Sequence, residues 1–139
     1  RPVTLAAARA QVRFPVRVPR ALGAPDEVRL WRALPGGVVI LVYGHRTALW
    51  AFRGSSTELV AKMVTPDTIV RPVRVGAARG TWLTGAPLQF VVQGRDGAIV
   101  TGTAATVDAN VLVWSAGGVA YRLETRAGLG RALAIARSL

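Results

Sequence analysis

The chain has 139 residues, enough for one domain that buries roughly two-thirds of the surface its unfolded form exposes. Hydrophobic residues make up 51% of it and cysteine is absent, which argues against a disordered chain and excludes disulfides and thiolate metal sites. The net charge is +11, and Lys62 is the only lysine among 18 basic residues; the rest are arginines scattered along the chain, which fits a solvated basic surface better than a recognition helix.

In chain order, residues 4–12 place Leu5, Ala8 and Val12 on one helical face, with Thr4 as the N-cap and Pro15 as the stop. Residues 15–25 hold three prolines and read as an extended connector. Arg9, Arg13, Arg17 and Arg20 form the densest basic series, interrupted by Pro15 and Pro19. A strand over residues 26–34 follows, then a turn at Pro35, Gly36 and Gly37. Residues 38–43 are continuously apolar. That run is far short of the roughly 20 residues a membrane span needs, and it predicts a central strand buried on both faces. Residues 48–53 predict the next strand. Loops this short force an antiparallel meander, because parallel crossovers need a dozen or more residues.

A second helix is predicted over residues 55–64, capped by Ser56 and presenting Leu59, Val60 and Met63. Strands are then predicted over 69–75, 80–84, 89–93 and 99–107, with Asp96 and Gly97 marking a hairpin. Two more strands, 110–114 and 119–124, are joined through Gly117 and Gly118. A closing helix over 128–139 carries Leu129, Ala132, Leu133 and Ala136 on one stripe, with Leu129, Leu133 and Ala136 expected to pack on the sheet. The expected architecture is α+β: one domain over residues 1–139, with a single antiparallel β-sheet of meander and hairpins, and N-terminal, middle and C-terminal helices packed on it.

Chemistry-bearing residues are sparse. His45 is the only histidine and sits in a turn without cysteine or clustered carboxylates, so no metal site is expected. Ser55 and Ser115 lack the Gly-x-Ser-x-Gly setting of an activated nucleophile. Asp26 and Glu27 are adjacent and point to opposite faces of an extended chain, while Asp67, Asp96 and Asp108 lie beside turns. The glycine pairs lack a phosphate-loop pattern. No catalytic residue and no cofactor are expected. Four tryptophans, Trp31, Trp50, Trp82 and Trp114, lie in predicted strands, where core packing is their ordinary role. The candidate ligand-binding residues are Trp82, beside the glycine-proline turn at 85–87, and Arg79 as a neighbouring cation, suited to a ligand with an anionic head and an apolar body.

Several segments, in register over nearly the whole chain, resemble a domain family. They are Phe14, Pro15, Val16, Val18, Pro19, Leu22 and Gly23 with residues 25–28 at the start; 65–68, 73–76 and 80–87 in the middle; and 110–114, 118–123 and 134–139 at the end. The family is an uncharacterised extracytoplasmic domain of bacterial, mainly actinobacterial, anti-sigma-factor-like membrane proteins, where it follows a single transmembrane helix. Leu88 departs from the histidine often found after the family's Gly-x-Pro turn. The resemblance implies a non-enzymatic sensing or interaction domain of a signal-transduction regulator on the extracytoplasmic face of the membrane. Its expected partners are an envelope protein, a peptide or a lipid-like ligand, with the membrane reached through a helix upstream of Arg1. The alternative reading is a basic module binding nucleic acid or an anionic surface. The dispersed arginines favour weak, salt-sensitive attraction to polyanions without sequence preference.

Overall fold

Thr4 caps the first helix as its side chain suggests, its Oγ1 accepting from the Ala7 N–H at 3.0 Å. In the computed structural model, which describes residues 2–32, 36–44, 47–54, 68–85, 90–93, 99–102 and 110–139, the chain runs β1 (Pro2–Val3), α1 (Leu5–Gln11), β2 (Glu27–Trp31), β3 (Val38–Tyr43), β4 (Thr47–Arg53), β5 (Thr68–Val75), β6 (Ala78–Gly85), β7 (Phe90–Gln93), β8 (Ile99–Gly102), β9 (Asn110–Ala116), β10 (Val119–Thr125) and α2 (Leu129–Arg137). β1 to β6, β9 and β10 form one antiparallel sheet in the order β1-β2-β3-β4-β10-β9-β6-β5. β7 and β8 pair only with each other.

The expected fold class needs correction. The described residues are dominated by one eight-stranded sheet rather than by helices spread over a small one, and only two helices, α1 and α2, are among them. The third expected helix, 55–64, lies outside the described residues. The sheet is also not single. β6 takes β9 as its outer partner, Gly80 opposite Trp114 and Leu83 opposite Val111, so no edge of β6 is left for the β7–β8 hairpin. The physical reason for the strand-rich outcome is the apolar pattern. β3 is buried at five of its six positions and β10 at all seven, so the centre of the sheet carries core on both faces.

Strand periodicity sorts the side chains cleanly. The first face carries Val28, Val39, Leu41, Leu49, Ala51, Trp82, Leu112, Trp114, Tyr121 and Leu123, and it receives α1, Phe14 and Val16 of the connector, and α2. The second face carries Val38, Ile40, Val42, Trp50, Phe52, Leu83, Val111 and Val113. On this second face Trp31 meets Trp50 edge-on, ring centroids 6.2 Å apart. The most unusual members are Arg122 and Glu124. Both are 0% exposed, and Arg122 Nε donates to Glu124 Oε1 at 2.9 Å. Burial pulls the Arg122 guanidinium below its ordinary value, and the adjacent carboxylate opposes that pull.

Local chemistry sets the turns. Gly117 and Gly118 have φ of 60° and 77°, the doubly left-handed geometry of a two-residue hairpin loop, so β9 and β10 pair with Ala116 opposite Val119. Gly80 has ordinary φ but no room for a side chain: a Cβ there would lie 3.1 Å from the Val113 carbonyl and 3.2 Å from Val75 Cγ2. β5 forms one edge of the sheet, with Ile69 64% and Val70 44% exposed and Pro72 at its middle.

α2 seats through Ala132, Ile135 and Ala136, with Leu129 and Leu133 half-buried at the margin. The stripe read from sequence is partly kept: Ala132 and Ala136 are shared, and Ile135 replaces Leu133 as the deepest large side chain. Ile135→Ala, at a position 2% exposed, is expected to cost about 2–5 kcal/mol, and Leu133→Ala less. Urea unfolding of the two variants checks the order, and a larger loss at Leu133 would contradict this seating. The buried pair makes a second prediction. Arg122→Met takes a charge-assisted hydrogen bond from the buried Glu124 carboxylate and should cost about 3–5 kcal/mol, whereas Arg122→Met with Glu124→Leu should recover part of that loss. A double variant as unstable as the single one would show that the pair does more than satisfy itself.

Candidate functional site

The β9–β10 hairpin builds the floor of a cavity on the first face. Register pairs Trp114 with Tyr121, and their rings stack with centroids 5.1 Å apart and planes 20° apart. Around this floor lie Val75 and Ala78, which flank the Gly76 turn between β5 and β6, and Ala136 and Leu139 from the end of the chain. Arg17 from the connector and Arg137 from the last turn of α2 supply the polar rim. The cavity holds about 330 Å³, at the small end of the range for ligand pockets. None of its lining residues is Ser, His, Asp or Glu.

Backbone hydrogen bonds explain how residues more than a hundred apart in sequence reach one place. The Arg20 N–H donates to the Ser138 carbonyl at 3.1 Å, and the Ala21 N–H donates to Ser138 Oγ at 3.1 Å. Ser138 Oγ in turn donates to the Ile135 carbonyl at 2.7 Å, closing the helix end. The connector is thus stitched to the terminus of α2, with Arg17 and Arg137 on the two strands of that seam. Arg137 Nη2 makes one long contact, 3.5 Å to the Arg74 carbonyl. Among the described residues neither arginine forms an ion pair.

The residues singled out from sequence fall elsewhere. Trp82 is 7% exposed and belongs to the first-face core, whereas Arg79, three positions earlier in the same strand, points to the second face. An odd separation in a strand cannot bring two side chains together. The register sets Arg71, not Arg79, opposite Trp82. Neither Trp82 nor Arg79 lines the cavity. The cavity is lined instead by one tryptophan and a tyrosine, Trp114 and Tyr121. Of the other candidates, His45, Ser55, Asp67, Leu88, Asp96 and Asp108 lie outside the described residues. Asp26 Oδ2 accepts from the Gly44 N–H at 2.6 Å, and Glu27 pairs with Arg29 at 3.0 Å, which gives both structural work. Among the described residues no group of three His, Cys, Asp or Glu is placed to hold a metal ion. No helix among them is long and apolar enough to cross a membrane.

Sequence reasoning passed over Tyr121, Arg17, Arg137 and the Arg122–Glu124 pair. Tyr121 was within reach: counting back equally from the two-glycine turn lands on Trp114 and Tyr121. The buried pair also leaves a trace, as two charges two apart in an otherwise apolar strand share a face. The placing of Arg17 and Arg137 on one cavity leaves none, because it depends on tertiary packing. Comparison with known protein families, curated proteins and solved structures finds no match to this chain.

Both tyrosines are held protonated beyond their ordinary range. Burial, with the Asp26 charge adding to it, pushes Tyr43 up to about 12, and its hydroxyl donates to the Gly23 carbonyl at 3.0 Å. Burial also raises Tyr121, while the Arg17 charge works in the opposite direction. A phenol bound more tightly to its proton in the folded state contributes stability fully present below pH ~10 that is lost as pH rises through the folded value. Absorbance titration at 295 nm should therefore show little tyrosinate at pH 10, and stability should fall between pH 10 and about 12. Arg17→Gln should move Tyr121 ionisation further up. A downward movement would remove Arg17 from the neighbourhood of the phenol.

Proposed function

We propose that this chain is a non-enzymatic extracytoplasmic sensing domain of a membrane-anchored, anti-sigma-factor-like regulator, and that it senses by taking up a small envelope molecule. The observation that carries this reading is the cavity over the Trp114–Tyr121 stack, apolar in its walls and polar only at its rim. Concave, mostly apolar sites with a few placed polar groups are the usual form of small-molecule sites. Its lining offers no paired carboxylates and no nucleophile beside a base, the groups on which most hydrolytic and transfer chemistry depends. The family resemblance across residues 14–28, 65–87 and 110–139 supports the location and the regulatory setting.

A neutral fluorescent probe, N-phenyl-1-naphthylamine, tests the reading without invoking charge. It is expected to bind the folded protein at one equivalent with a blue-shifted emission. Ala116 lines the mouth and is exposed, so Ala116→Trp should weaken the probe at least tenfold while leaving the unfolding midpoint in place. Binding that is absent, or indifferent to Ala116→Trp, would count against the cavity as the site.

A further inference from the structure

Space limits what the cavity can hold. A volume of about 330 Å³ equals the share of roughly eleven waters in the liquid. A single alkyl chain of about ten carbons, or a compact aryl body, matches such a space, which opens to solvent on one side. The walls set the character of that body. Val75, Ala78, Ala136 and Leu139 offer no hydrogen bond from their side chains, and the Trp114 and Tyr121 rings, stacked on each other, lie at its base.

Charge limits the rest. Three acids lie among the described residues outside the lining: Asp26 is engaged by the Gly44 N–H, Glu27 by Arg29, and Glu124 is buried on the other face of the sheet. Arg17 and Arg137 therefore face the cavity without a side-chain carboxylate partner among the described residues. Each guanidinium carries five N–H donors, and Arg137 commits only one, to the Arg74 carbonyl at 3.5 Å. Two cations at the mouth of an apolar pocket repel a cationic amphiphile, waste a neutral one and suit an anionic headgroup, which can take two charge-assisted hydrogen bonds.

We infer that the ligand of this site is a small single-chain or single-aryl amphiphile with an anionic head, its carboxylate or phosphate clamped between Arg17 and Arg137 and its apolar body lying over Trp114 and Tyr121. The inference rests on the reading of the cavity as the sensing site and adds the ligand's charge, size and polarity. Recognition is then divided. The aromatic floor and apolar walls supply affinity common to any apolar body, while the two arginines, brought together only when the connector is stitched to α2, supply the choice among headgroups.

Matched ten-carbon probes separate these contributions: decanoate, decyl phosphate, decan-1-ol and decyltrimethylammonium, each measured by displacement of N-phenyl-1-naphthylamine from the intact chain. Decanoate and decyl phosphate are expected to bind at least tenfold more tightly than decan-1-ol, and decyltrimethylammonium more weakly than either. Arg17 and Arg137 are exposed, so Arg17→Gln with Arg137→Gln should leave the fold intact, bring the anions to the level of decan-1-ol and leave decan-1-ol unchanged. A preference for decanoate over decyl phosphate, or the reverse, identifies the headgroup within the class. Equal displacement by decan-1-ol and decanoate would overturn the anionic inference while leaving the cavity a binding site. Failure of every probe, N-phenyl-1-naphthylamine included, would overturn both. An anion preference that survives in the double variant would place the headgroup elsewhere and defeat the clamp.

Discussion

Strand β10 is paired along its whole length on both sides, with β4 from Val119 opposite Arg53 to Thr125 opposite Thr47, and with β9 from Val119 opposite Ala116 to Thr125 opposite Asn110. It is the strand through which the early half of the sheet, β1 to β4, joins the late half, β9, β6 and β5. The Arg122–Glu124 pair sits inside this join. Taking two charges out of water is expensive, and their attraction returns the loss only when geometry is good. Here it fixes parity: a slip of β10 by one residue would carry both charges to the opposite face, into the apolar layer under α2. The register of the central seam is thereby tied to a polar feature that tolerates only one side of the sheet.

The cavity inherits that register. Because β10 is fixed against β9, Tyr121 must lie beside Trp114, and because α2 follows after a short turn, its last residues must return across the same face. That turn is itself held, Thr125 Oγ1 accepting from the Ala127 N–H at 3.1 Å and Asn110 Nδ2 donating to the Ala127 carbonyl at 3.2 Å. The connector after α1 completes the enclosure by meeting Ser138. Three separate stretches of chain therefore converge on one small volume. The floor comes from the most tightly held hairpin, and the arginines come from the two segments laid over it last.

Much of this arrangement is legible in the sequence, and the illegible part has a common cause. Thr4 as a cap, residues 38–43 as a strand buried on both faces, and Gly117 with Gly118 as a hairpin loop each follow from local chemistry and appear as read. The stacked pair could have been counted from that loop. Pairing Arg79 with Trp82 used nearness in the sequence where alternation in a strand separates odd neighbours, so parity decides against it. The α2 stripe keeps Ala132 and Ala136 but puts Leu133 where Ile135 is deepest, because helical periodicity defines a face more loosely than packing on the sheet does. That β6 pairs with β9 and leaves β7–β8 as a separate ribbon is a contest between distant strands, and nothing within either segment announces its winner. The functional expectations drawn from the family resemblance stand apart from all of these, since they concern setting and partner rather than geometry.

At the far rim, β5 ends the sheet with an apolar side chain on each face, Ile69 and Val70, fully in water's reach. Such a rim could template a further strand from another molecule. Pro72 stands at its midpoint and offers no N–H to a newcomer, and Arg71 and Arg74 flank it with one positive charge on each side of the ribbon. Two copies meeting antiparallel about Pro72 would bring their Arg71 side chains into diagonal positions on one face and find the central donor missing. The sheet is thus terminated chemically as well as spatially. A protein crowded at a surface could keep its exposed isoleucine and valine without polymerising through them.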